Sequence, residues 1–160
     1  MRNTVELNAR EYRAADEGAA EANAAEREPL LVLHGLFGNQ GNWGLHSKAL
    51  AERHRVIGID LRNHGESPHA PELDYQAMAE DVRALIEARG LGACTVLGHS
   101  MGGMIVQEMT ARAPERIESL VLYGTGPIGM MPGRFESIEE SRRRASEDGA
   151  NATGKRIAAT

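Results

Sequence analysis

The sequence has 160 residues, a formal net charge of −5 and one cysteine, Cys94. This length can bury the core of one domain, and the negative charge without a dense basic cluster argues against nucleic acid as a partner. A single cysteine excludes an internal disulfide and suits a reducing compartment, where we expect Cys94 to be a small core residue. The N-terminus resembles no secretion signal and no apolar run reaches membrane-spanning length. We therefore expect a soluble, cytoplasmic protein without a membrane segment, and we assign it no metal and no cofactor.

The N-terminal residues predict a hairpin at one end of a sheet. Residues 4–7 and 11–15 alternate weakly between apolar and polar on either side of a short connection. The residues that follow, 18–28, are alanine-rich and acidic and contain no larger apolar side chain to bury. This composition favours a solvated connector over a stable helix.

Apolar runs alternate with helical patterns along the rest of the chain. The runs that predict buried strands cover residues 30–33, 55–59, 94–97 and 117–123. The helical patterns lie at residues 47–53, at residues 75–89 between a capping Asp74 and Gly90, and from residue 104 to about 113. Strands that alternate with helices predict a mostly parallel sheet covered on both faces. With the hairpin, this makes six strands.

The stretch from Gly98 to Gly102, Gly-His-Ser-Met-Gly, joins a predicted strand to a predicted helix. A G-x-S-x-G sequence in that position is typical of a nucleophile elbow. Ser100 would turn in a strained conformation that projects its hydroxyl from the sheet, while Gly98 and Gly102 would let strand and helix approach closely. The Met101 amide, at the start of the helix, would point at a developing oxyanion. His99 would point away from the elbow. The alternative is a glycine-rich turn with an inert surface serine.

The first buried strand leads directly into a glycine-bearing loop that begins His34-Gly35-Leu36. Such a loop can offer a backbone N–H to a reacting oxygen, and we expect the Leu36 amide to act together with that of Met101. For His34 we favour a buried histidine that bonds to backbone and holds the loop, over a direct catalytic part. Ligands bind at the carboxyl ends of parallel strands, where both this loop and Ser100 lie.

Polar residues also follow the next strand, from Asp60 to Pro68. These side chains resemble a catalytic cluster in composition. At the end of a strand, however, Asp, Arg and Ser more often satisfy one another and the loop backbone. We therefore predict structural roles for residues 60–68, with the role of His64 left open.

The sequence changes character after the last predicted strand. Residues 125–133 form a loop with apolar side chains, and residues 136–147 have a helical pattern with acidic and basic residues at i,i+4 spacing. We divide the chain into a core portion, residues 1–124, and the start of a cap over the site, residues 125–160. The candidate walls of an acyl pocket, for which ordinary packing is an equal alternative, are Met130, Met131 and Phe135.

Three stretches in this order resemble the α/β-hydrolase superfamily: LLVLHGLFGNQGNW (30–43), IDLRNHGESPH (59–69) and VLGHSMGG (96–103). The HGLFG loop and the middle stretch are most similar to small carboxylesterases of the abhydrolase-11 type, and LVLYGTGPIG (120–129) is similar to enol-lactonases. The resemblance covers about residues 4–125 and implies an α/β-hydrolase fold. It makes Ser100 the nucleophile and the Leu36 and Met101 amides the oxyanion hole, with acyl transfer from a small ester or lactone as the reaction.

The sequence departs from the superfamily pattern after Ser100. The family's triad follows the order Ser, Asp or Glu, His, but no histidine follows Ser100 and the only later aspartate is Asp148. We therefore expect the N-terminal portion of a longer hydrolase, interrupted after the sixth strand, whose edge strand 117–123 is open to self-association. Two alternatives remain: a non-catalytic fragment or pseudo-hydrolase, and a cofactor-free haloperoxidase-like or lyase activity on the same fold.

Overall fold

The computed structural model describes residues 3–13 and 27–126, and further along the chain residues 139, 140, 143, 146 and 147. The chain divides into two units, Met1–Pro127 and Ile128–Thr160. In the second unit, the described residues are helical and Arg143 lies 3.7 Å from Glu147. The predicted alanine-rich connector lies outside the described residues except at positions 27 and 28.

The first unit contains a sheet of five strands: β1 (Ala9–Tyr12), β2 (Pro29–Leu33), β3 (Arg55–Ile59), β4 (Cys94–His99) and β5 (Ile117–Tyr123). Their order is β1-β3-β2-β4-β5, and all neighbours are parallel except β1, which runs antiparallel to β3. The mostly parallel sheet predicted from the sequence is therefore confirmed. Because β2 and β4 are neighbours, with Leu33 opposite Gly98, the residues that follow these two strands lie side by side.

The predicted N-terminal hairpin is wrong. Residues 4–7 form no strand, and β1 pairs with β3, Ala9 opposite Ile59. Side chains take up the main-chain donors before β1 instead: the Val5 N–H donates to Asp81 Oδ1 at 2.8 Å and the Asn8 N–H to Ser67 Oγ at 2.8 Å. A segment fastened in this way needs no partner strand. The described sheet therefore has five strands rather than six.

The helices of the first unit are α1 (Gly44–Leu50), α2 (Tyr75–Ala88) and α3 (Met101–Arg112), with 3₁₀ turns at Gln40–Trp43 and Pro114–Arg116. The predicted limits of α2 are confirmed. Asp74 accepts a hydrogen bond from the Ala77 N–H at 2.7 Å, which satisfies a free donor of the first turn. Beyond its end, Gly90 adopts a φ of +61°, a left-handed conformation that glycine tolerates.

Alternate residues of the strands pack into separate cores on the two faces of the sheet. One core joins β2, β3 and β4 to α2 and α3 and includes Leu31, Leu33, Ile57, Ile59 and Val96. The other joins the opposite side of the same sheet to the end of α1 and includes Tyr12, Leu30, Val32, Ala51 and Val56. This division follows from the two-residue period of a strand. Helices therefore cover both faces, as predicted.

The strand β5 forms one edge of the described sheet and is poorly covered. Its residues Leu120, Val121, Leu122 and Tyr123 are 36 to 61 % exposed. Since successive side chains point to opposite faces, apolar groups are accessible on both sides of this strand. Among the described residues, no helix is long and apolar enough to cross a bilayer.

A buried ion pair fastens the chain after β3 to α2. Arg62 Nε lies 2.6 Å from Asp81 Oδ2 and Nη2 lies 2.7 Å from Oδ1, with side-chain exposures of 1 % and 0 %. Nη1 and Nη2 also donate to the carbonyl oxygens of Glu72 and Asn3, at 3.0 and 3.2 Å. A buried pair is tolerated only when its other polar atoms are satisfied. These contacts meet that condition and hold the loop after β3 at the carboxyl end of the sheet.

Candidate active site

Ser100 connects β4 to α3 in a conformation that non-glycine residues rarely adopt, with φ 51° and ψ −114°. Its N–H donates to the Tyr123 carbonyl at 3.0 Å. Its own carbonyl accepts from the Gly103 N–H at 3.0 Å and from Thr125 Oγ1 at 2.8 Å. The side chain is half-buried and makes no capping bond to the helix. Hydrogen bonds on both sides of the residue therefore keep this strained corner in place.

Close backbone contacts surround this corner. A Cβ on Gly98 would lie 2.7 Å from the carbonyl carbon of Gly102, and a Cβ on Gly102 would lie 2.6 Å from the Leu33 carbonyl oxygen. A Cβ on Gly35 would lie 3.2 Å from Ser100 Cβ. Only glycine fits at Gly98 and Gly102, and a larger residue at Gly35 would crowd Ser100. The loop after β2 therefore lies directly against the corner that carries Ser100.

The loop after β2 begins with a tight turn over Gly35, Leu36, Phe37 and Gly38. The Gly38 N–H donates to the Gly35 carbonyl at 3.0 Å, and Phe37 has a φ of 60°. The turn carries two apolar side chains outward, with Leu36 49 % and Phe37 47 % exposed. The Leu36 amide thus belongs to a closed turn whose first residue touches the Ser100 corner.

The His34 ring is buried and bonded to main chain at both nitrogens. Nε2 accepts from the Leu61 N–H at 3.1 Å, so the proton is on Nδ1, which donates to the Gly35 carbonyl at 2.7 Å. Burial lowers the pKa of His34 to about 4, even though the bond to Gly35 opposes this shift. The neutral ring therefore ties the end of β2 to the loop after β3. Beside it, His64 Nδ1 donates to the Arg62 carbonyl at 2.9 Å.

Asp60 holds the loops after β2 and β3 together. Its carboxylate accepts from the Gln40 N–H at 2.7 Å, the Glu66 N–H at 3.0 Å and Asn8 Nδ2 at 2.8 Å. Burial alone would raise the pKa of Asp60, but these hydrogen bonds outweigh it and hold the pKa below its usual value. Gly65, with a φ of 54°, lets the chain pass directly over the carboxylate. These contacts show Asp60 in a structural role, as predicted for this segment.

An aromatic cluster next to the corner was not predicted. The rings of Trp43, His99 and Tyr123 have centroids 5.6 to 6.0 Å apart, and they come from the loop after β2, from β4 and from β5. His99 Nδ1 also lies 3.0 Å from the place of a Cβ on Gly35. The sequence offered a hint in its only tryptophan, placed seven residues beyond Leu36. His99 therefore packs between the loop and the edge strand.

These features agree with the comparisons with known proteins. Residues 28–160 match the family model of the α/β-hydrolase fold. The chain belongs to this family. It is 41 % identical over 106 residues to the sn-1-specific diacylglycerol lipase ABHD11 of Mus musculus, across 65 % of this chain and 34 % of that protein. It is 37 % identical over 128 residues to esterase YbfF of Escherichia coli K12, across 80 % of this chain and 50 % of that protein.

Solved structures show the same architecture for this α/β-hydrolase. A marine microorganism esterase superposes with a TM-score of 0.66 and 29 % identity, over 94 % of this chain and 61 % of that one. The superfamily predicted by resemblance is therefore confirmed, and a protein named ABHD11 is among the relatives of this chain. The chain spans half or less of the length of the two curated relatives.

Some predicted parts of the site lie outside the described residues of the chain. These are the candidate pocket walls Met130, Met131 and Phe135. Within the described ranges, no group of three His, Cys, Asp or Glu side chains is arranged to hold a metal ion.

Proposed function

We propose that the protein is a serine hydrolase that cleaves a small carboxylic ester or lactone by acyl transfer through Ser100. The observation that carries this proposal is the left-handed backbone of Ser100, held between β4 and α3 by close contacts at Gly98 and Gly102. Strain of this kind persists where function requires it. Relatives named esterase and lipase agree with the proposal.

In the proposed reaction, Ser100 Oγ forms a bond to the carbonyl carbon and gives its proton to a base, while the carbonyl electron pair moves onto the oxygen. The Leu36 and Met101 amides donate to this oxyanion. Met101 suits that part because the first N–H groups of a helix have no intrahelical acceptor. The intermediate then expels the alcohol, which takes up the proton, and water releases the acyl group from Ser100. One oxyanion donor contributes about 3 kcal/mol of transition-state stabilisation.

The base and the acid of the triad are not assigned to any residue of this sequence. None of its six histidines follows Ser100, and His34 uses both ring nitrogens for main-chain bonds. The activity is therefore proposed for the protein as a whole. In that protein, Met130, Met131 and Phe135 remain candidate walls of the acyl pocket.

Labelling of the whole, unsubstituted protein (the parent protein) with a fluorophosphonate probe tests the proposal. We expect one label per chain, located on Ser100 by peptide mass spectrometry and lost in Ser100→Ala. A matched control is Ser119→Ala, which removes an exposed hydroxyl from β5 and should label like the parent protein. A label that survives Ser100→Ala would contradict the proposal. An unlabelled parent protein would favour the pseudo-hydrolase alternative, and peroxide-dependent halogenation would favour the haloperoxidase alternative.

A further inference from the structure

Three non-glycine residues of the described chain have a positive φ: Phe37 at 60°, Asn63 at 63° and Ser100 at 51°. Asn63 has a local reason, because its side-chain amide exchanges two hydrogen bonds with the main chain of Ala70, at 3.0 and 2.6 Å, and asparagine tolerates this region. Ser100 forms the corner described above. Phe37 is the third residue of the turn from Gly35 to Gly38, a position that requires a positive φ and is usually occupied by glycine or asparagine, so an aromatic residue there is unusual.

The backbone around Phe37 is fixed on both sides. The Gly35 carbonyl accepts from the Gly38 N–H and from His34 Nδ1, at 3.0 and 2.7 Å. Immediately after the turn, Asn39 caps the following 3₁₀ turn through a reciprocal pair of hydrogen bonds. Despite this rigid support the Phe37 side chain is 47 % exposed. The turn therefore fixes the backbone of Phe37 while leaving its aromatic ring exposed.

The turn that carries Phe37 begins at the Ser100 corner. A Cβ on Gly35 would be 3.2 Å from Ser100 Cβ, and two residues of backbone span at most about 7 Å. Leu36, 49 % exposed, stands between Gly35 and Phe37 and adds a second apolar side chain. An ester carbonyl at Ser100 would therefore have an apolar surface within reach on the side of this turn.

We infer that Phe37 is a specificity-determining residue that binds an apolar chain of the ester, an inference that rests on the proposed function for the identity of its ligand. Because the backbone of Phe37 is already fixed and its side chain has only two rotatable bonds, binding costs little conformational freedom. An aliphatic chain gains by covering that ring, whereas a charged group would lose hydration without a hydrogen-bonding partner there. Phe37 thus selects esters with several methylene groups over acetyl esters of small alcohols.

Binding measured without turnover tests this inference. In the Ser100→Ala background, ¹H–¹⁵N chemical shifts report the affinity of methyl acetate and of two isomers, methyl hexanoate and pentyl acetate. The isomers place the chain on the acyl or on the alcohol side of the ester. The informative variant is Phe37→Asn, since asparagine keeps the left-handed backbone and removes the ring. The matched control is Leu45→Asn, which removes an apolar side chain that is 84 % exposed on α1.

We expect Phe37→Asn to raise the Kd of one isomer about tenfold and to leave that of methyl acetate unchanged. The isomer that responds identifies the side of the ester that Phe37 contacts. Leu45→Asn should change none of the three constants. If Phe37→Asn unfolds in a urea titration, Phe37→Gly replaces it, because glycine removes both ring and strain.

The inference fails if neither isomer loses affinity in the Phe37 variant, or if neither binds saturably. Failure of the proposed function has a different signature. If the unsubstituted protein takes up no fluorophosphonate but long-chain esters still bind through Phe37, the proposed hydrolase function is contradicted and the inference about Phe37 stands. If Ser100 is labelled but ester binding does not depend on Phe37, the proposed function stands and the inference about Phe37 is contradicted.

Discussion

The carbonyl oxygen of Leu33 lies 2.6 Å from the position that a Cβ on Gly102 would occupy. The His34 carbonyl oxygen is 2.8 Å from the same position. Both oxygens belong to the backbone at the end of β2, so no side chain can move aside to make room. The contact joins the first turn of α3 to the strand that carries the Leu36 loop, and it thereby fixes Ser100 relative to that loop.

We expect Gly102→Ala to lower the free energy of unfolding by about 1 to 3 kcal/mol in urea titrations. Alanine favours a helix over glycine by about 1 kcal/mol, but contact with two backbone oxygens outweighs this gain. The matched control is Gly92→Ala, where a Cβ would have no neighbour within 4 Å. The control should be neutral or slightly stabilising. Equal stability of the two variants would contradict the close approach.

The buried pair of Arg62 and Asp81 gives a second prediction. We expect Asp81→Asn to cost about 3 to 5 kcal/mol of unfolding free energy, because it leaves a buried guanidinium without a counter-charge. A control on the same helix is Glu80→Gln, which breaks a partly exposed pair with Arg83 and should cost less than about 1 kcal/mol. Urea titration measures both. A cost for Asp81→Asn no larger than that of the control would show that the pair does not hold the loop.

The pKa of His34 makes stability depend on pH. Its value of about 4 in the folded chain lies below the ordinary 6.5, so the unfolded chain binds the proton first. The contribution of the neutral ring is complete above pH 6.5 and is lost as the pH falls towards 4. Between pH 7.5 and 5, we expect the parent protein to lose about 2 kcal/mol more than His34→Gln does. The exposed His69, replaced in His69→Gln, serves as control and should follow the parent. A parent curve parallel to that of His34→Gln would contradict the assignment.

The parts of the fold that could be predicted are those with a local cause. Strands buried on both faces appear as continuous apolar runs, as at Leu30–Leu33, and α2 has its cap and its stop in Asp74 and Gly90. The sharp corner at Ser100 could be predicted because a G-x-S-x-G sequence between a strand and a helix is typical of such a turn. Each of these patterns depends on neighbouring residues alone.

The parts that could not be predicted depend on distant partners. Nothing in the sequence near Asp81 indicates that its carboxylate binds Arg62 and the Val5 amide. The contact with Val5 takes the place of the strand pairing expected in the predicted hairpin. The positive φ of Phe37 was hidden for a different reason: phenylalanine disfavours that region, so its residue type argues against the observed conformation. The His99 cluster likewise forms only when three separate segments meet at the sheet edge.

Self-association through β5, predicted from the sequence, remains to be tested. The strand is the edge of the described sheet, and apolar side chains are accessible on both of its faces. An exposed apolar edge offers unpaired backbone groups to a second copy, and a lysine at such an edge opposes pairing. We therefore expect these 160 residues to dimerise in sedimentation velocity experiments as concentration rises, and Val121→Lys to shift the equilibrium to monomer.

The control Leu45→Lys removes a more exposed apolar side chain, on α1, and should leave the dimer intact. If both lysine variants dissociate the dimer equally, general hydrophobicity rather than the strand edge drives association. A parent protein that is monomeric at every concentration would exclude self-association.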